Sequence, residues 1–78
     1  MSNYSNHTGR DFLNAQARIK IREDLIVRAM NAKAAINLNL MRLAPDDDYR
    51  RELARIAQIL RETIDDLTTY NIKESNKL

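Results

Sequence analysis

Apolar residues recur along this chain on a helical period in two long stretches. In the first, from about Arg10 to Leu43, a rotation of 100° per residue gathers Ile21, Leu25, Ala29, Ala32, Ile36, Leu40 and Leu43 into a stripe about 100° wide. Gly9 is the only glycine and Pro45 the only proline, so the two strongest breakers of local structure stand at the ends of this stretch. Thr8-Gly9-Arg10-Asp11 has the form of a capping box, in which Thr8 accepts from a first-turn amide and Asp11 reaches back to the amide of Thr8. At 1.5 Å per residue the helix is roughly 50 Å long. Asp24 offers a second cap, at which the helix would break.

The second stretch follows Pro45, which disfavours a helical conformation at Ala44. Asp46, Asp47 and Asp48 then stand where the unpaired amides and the positive dipole end of a helix favour negative charge. The spacing predicts a helix from about 47 to 70 with apolar residues at Tyr49, Leu53, Ile56, Leu60, Ile64 and Leu67. Thr63 and Tyr70 complete an alternating four-three series of 49, 53, 56, 60, 63, 67 and 70, a heptad seam for a partner helix. Residues 72–78 lose the pattern and read as a frayed tail, and residues 1–8 as a flexible polar leader, leaving a single helical domain over 9–71.

With only two or three residues between the helices, an antiparallel αα-hairpin is the architecture this chain predicts. Charge favours the same arrangement. Arg18, Lys20, Arg22 and Arg28 lie early in the first helix, and an antiparallel fold brings Glu62, Asp65 and Asp66 of the second alongside them.

The first helix is apolar beyond the stripe that faces its neighbour. Phe12, Ile19, Ile26, Val27, Met30, Ala34, Leu38 and Met41 form a second set, which one facing helix does not cover. Exposed apolar patches of more than a few hundred Å² usually mark an interface. The expectation is therefore an all-α hairpin that completes a four-helix bundle, either by dimerisation or by packing on a partner, with Phe12, Ile19, Ile26, Met30, Ala34 and Met41 as the outward contact. The alternative is a bent first helix and a three-helix bundle closed on itself. Asn37 lies either within the apolar contact, where a polar residue sets register, or on a solvated edge.

The totals sharpen this picture. A chain of 78 residues buries a small fraction of its surface and needs a supplement to its core. Disulfides are excluded by the absence of cysteine, and the only histidine, His7, stands in the polar leader. No apolar run is long enough to span a membrane, and the start lacks the pattern of a signal peptide, so a cytoplasmic protein, in its own cell or a host's, is expected. The Asn3-Tyr4-Ser5 and Asn6-His7-Thr8 sequons then read as chance matches.

The residue types of catalysis are not assembled. Consecutive aspartates at 46–48 point in different directions and lack the remaining elements of a calcium loop. Asp65-Asp66 has no partner acid or base placed across a cleft, and Ser2, Ser5 and Ser75 lie in tails. No cofactor, metal or enzymatic activity is expected. Thirteen basic residues against eleven acidic ones give a net charge of only +2, a weak drive towards nucleic acid. The functional expectation is a small protein-binding module that regulates, inhibits or escorts a partner. The alternative is a dimeric hairpin that grips RNA or DNA backbone through Arg18, Arg22, Arg50, Arg51 and Arg55.

Overall fold

Two helices make up the computed structural model of the chain, α1 over Ser2–Leu40 and α2 over Asp48–Asn76. The structure describes residues 2–78, with side chains from Arg10 onward. The expected flexible leader over residues 1–8 and the Thr8 capping box therefore fall outside the described side chains. α1 is continuous through Glu23 and Asp24, so the first helix does not break there to form a three-helix bundle.

The turn is longer than the two or three residues expected, because α1 stops at Leu40 rather than Leu43. Proline has no amide hydrogen to continue the helical ladder and forces the residue before it out of the helical region. Upstream of Pro45 the chain tightens into bonds three residues apart, Arg42 N to Asn39 O at 3.0 Å and Leu43 N to Leu40 O at 3.2 Å. Arg50 donates from Nη1 to the Leu43 carbonyl at 3.4 Å, satisfying one acceptor that the terminated helix leaves open. Of the three aspartates, Asp47 is the N-cap of α2. Its backbone is extended (φ −70°, ψ 129°), and its carboxylate accepts from the Tyr49 amide at 2.8 Å, as the acidic run led us to expect.

The helices pack antiparallel along one seam. On α1 and the turn after it the most covered positions are Ala15, Ile19, Arg22, Ile26, Ala29, Lys33, Ile36, Leu40 and Leu43; on α2 they are Arg50, Leu53, Ala57, Leu60, Ile64, Leu67, Asn71 and Glu74. Both series alternate steps of four and three, which keeps two helices in contact over many turns. The seam on α2 is therefore displaced from the predicted series. Tyr49, Ile56, Thr63 and Tyr70 are exposed at its edge, and Arg50, Ala57, Ile64 and Asn71 take their places. On α1 the displacement is similar: Ile21, Leu25 and Ala32 are exposed, whereas Ile19 and Ile26, predicted to face outwards, lie in the seam.

The reason lies in size as much as in polarity. Two helices approach closely where small side chains meet, and the only buried residues described are Ala15 and Ala57, each 7% exposed. No described large side chain is fully buried, since a single helix lying on another shields each seam residue from one side alone. The hairpin is accordingly a rod of 66 × 16 × 14 Å with a radius of gyration of 18.6 Å, against about 11–12 Å for a compact domain of this length.

Candidate functional site

At the open end of the hairpin, four polar side chains close the seam. Glu74 receives Nε of Arg18 at 3.1 Å and Nη2 of Arg18 at 2.8 Å, together with Nη1 of Arg22. Asn71 donates to the Ile19 carbonyl across the helices at 3.1 Å and accepts from Arg22 at 3.4 Å. The Arg22 guanidinium also lies 5.7 Å from the centre of the Tyr70 ring, within range of a cation–π contact. Hydrogen bonds from Arg18 and then Arg22 hold the Glu74 carboxyl at about 2, well below its ordinary value, and the same contact raises the pKa of Arg18. Two of the basic partners expected for Glu62, Asp65 and Asp66, Arg18 and Arg22, thus go to Glu74 instead, while Arg28 pairs with Asp24 of its own helix at 2.8 Å. α2 continues past Tyr70, where the sequence pattern ends, to Asn76, and Asn71 and Glu74 of this segment bond to α1.

The clasp explains what happens to the arginines considered for nucleic acid. Arg18 and Arg22 are committed to Glu74, Arg50 is half-buried on the Leu43 carbonyl, and Arg55 pairs with Glu52 at 2.7 Å. Arg51 is exposed. They do not converge on a common stripe.

Two apolar surfaces remain uncovered, on opposite sides of α1. The first lies on α1 and the residue that follows it. Val27, Met30, Ala34 and Leu38 fall within about 80° of rotation, Met41 opens the turn just beyond them, and all five are exposed, Leu38 at 72% and Met41 at 85%. Three of the predicted outward residues, Met30, Ala34 and Met41, belong here. Phe12 is exposed nearer the open end, and Asn37 is exposed along the border of the stripe.

The second surface spans both helices. At the turn, Ile36, Asn39, Arg42, Leu43, Tyr49 and Leu53 line a shallow groove; at the open end, Arg22 meets Tyr70. These contacts place Leu25, Ala32 and Asn39 of α1 along the same edge of the seam as Tyr49, Ile56, Thr63 and Tyr70 of α2. Every one of these seven side chains is exposed and none is ionised. Sequence reasoning had assigned most of them to the interior of the hairpin. The heptad spacing that marked them as contact residues is real, but the seam between the helices lies one position further along α2, and these side chains stand at its exposed edge.

No described helix is long and apolar enough to cross a membrane, and no cluster of metal-ligating side chains occurs among the described residues. Comparison with known proteins finds no matching family model, no similar curated protein and no similar solved structure.

Proposed function

We propose that this hairpin acts by binding another protein through the exposed stripe of α1, and that it regulates, inhibits or escorts that partner without catalysing a reaction. The observation that carries the reading is the stripe itself: Val27, Met30, Ala34 and Leu38 on a regular helix with Met41 just past its end, far more exposed than their chemistry favours. Such a row matches the anchors of a helix laid into an apolar groove, which are read at steps of three and four. Unbranched methionines at two of the five positions adapt to a partner's contours at small cost. The partner is accordingly a protein with an elongated apolar groove, about 20 Å long for the fifteen residues from Val27 to Met41.

The test compares affinity capture from cell extract by the wild type and by Met30→Asp and Leu38→Asp, at about 50 and 200 mM salt. Both substitutions lie on exposed positions and should leave helix content, checked by circular dichroism, unchanged. The proposal requires a protein retained by the wild type at both salt concentrations and lost with either variant. Undiminished capture by both variants overturns it. Retention of nucleic acid that disappears at the higher salt would replace it with the arginine-mediated alternative.

A further inference from the structure

We infer that the two-helix surface, distinct from the stripe just described, is where a second copy of this chain packs, with both turns at the same end of a four-helix bundle. The first support is area. The hairpin exposes 6447 Å², whereas a compact monomer of 9.1 kDa exposes about 4,900 Å² and a compact dimer about 8,100 Å². Two hairpins reach the dimer's value by burying between 4,000 and 5,000 Å², on the order of an obligate homodimer interface.

The second support is charge, which also selects the orientation. Three residues beyond Leu25, Ala32 and Asn39 stand Arg28, Ala35 and Arg42, forming the outer rim of the surface on α1. Three residues beyond Tyr49, Ile56 and Thr63 stand Glu52, Ile59 and Asp66, forming the rim on α2. Over these positions the rim of α1 is basic and that of α2 acidic; beyond them the α2 rim ends, three residues past Tyr70, on Lys73. The pairing of Arg22 with Asn71 sets the register of the hairpin and puts Arg28 level with Asp66, Ala35 with Ile59 and Arg42 with Glu52, to within about one 1.5 Å helical step.

A two-fold axis parallel to the helices lays α1 of one copy on α2 of the other without changing height. Arg42 and Arg28 then meet Glu52 and Asp66 of the second copy, and Ala35 meets Ile59. Along the centre, Leu25, Ala32 and Asn39 interleave with Tyr70, Thr63, Ile56 and Tyr49, small side chains falling between large ones. An axis across the helices lays α1 on α1 and α2 on α2, bringing arginine rim to arginine rim and acid rim to acid rim. Like charges juxtaposed in this way reject the arrangement. Neither Arg42 nor Asp66 has an ion pair among the described residues; Arg28 and Glu52 have only exposed pairs within their own helices, which exchange readily.

The test is solution mass by light scattering, with the distance between single labels at the turn. The chain has no cysteine, so Asp46→Cys gives one attachment site per copy. A mass near twice 9.1 kDa with labels of the order of 20 Å apart, two helix spacings, is the expected result. A monomer at every concentration from micromolar to near-millimolar overturns the proposal, as does a dimer whose labels lie a hairpin's length apart. Ile56→Asp should weaken association at least about tenfold. Because that position is only 38% exposed, the surface double variant Arg28→Glu/Arg42→Glu serves alongside it. This variant should dissociate while retaining its helix content, and association at wild-type strength by it overturns the proposed rim pairing. Met30→Asp should remain dimeric, which separates failure of this inference from failure of the partner-binding stripe.

Discussion

Glu74 is the side chain on which the open end depends, and its protonation gives the hairpin a defined response to acid. The folded carboxyl titrates at about 2, below its ordinary 4.5, because Arg18 and Arg22 donate to the ionised form. A group whose pKa is depressed on folding stabilises the folded state fully above its unfolded value and loses that contribution as pH falls through the folded one. Glu74→Gln should therefore be less stable than the wild type at neutral pH, and the difference should shrink between pH 4.5 and about 2. Paired denaturant titrations across that range measure it; a difference that does not depend on pH would mean that the clasp acts through shape and not through charge. Asn71 complements it by donating to a backbone carbonyl of the other helix. Neither residue stood out in the sequence, because an asparagine and a glutamate amid polar neighbours look like a solvated tail until the facing helix supplies their partners.

Each helix has a repeating pattern that was legible before its partner was. The two helices, the turn at Pro45, the capping role of the aspartates and the antiparallel packing all follow from local chemistry. The face was harder to assign, because α2 carries two heptad series sharing Leu53, Leu60 and Leu67. One is completed by Tyr49, Ile56, Thr63 and Tyr70, the other by Arg50, Ala57, Ile64 and Asn71. Hydrophobicity alone favours the first. Close approach at Ala57 and the polar closures at Arg50 and Asn71 decide for the second, and these depend on the opposite helix. The same ambiguity displaced Ile19 and Ile26 from the outward set. A consequence belongs to α2 itself: deleting residues 71–78 removes the bonds from Asn71 and Glu74 and should lower the melting temperature measured by circular dichroism. An unchanged melting temperature would return this segment to the status of a loose tail.

The molecule as a whole is a rod with very little interior, and a rod of this kind gains stability from whatever lies against it. If a second copy does, melting becomes second order in protein, and the transition temperature should rise with concentration. A transition independent of concentration over a hundredfold range would show that the isolated hairpin is the unit that unfolds. The polar clasp has one more consequence. Near the turn, facing residues are neighbours in the chain, and bringing them together costs little entropy; Arg18 and Glu74 are separated by 56 positions, and their encounter closes a far longer loop. On this ground the two helices should zip from Pro45 outwards, with the clasp among the last teeth to engage and the first to part. Acid, by discharging Glu74, acts at the point where the fastener is already easiest to open, so the hairpin splays from its free ends while the turn still holds the two arms together.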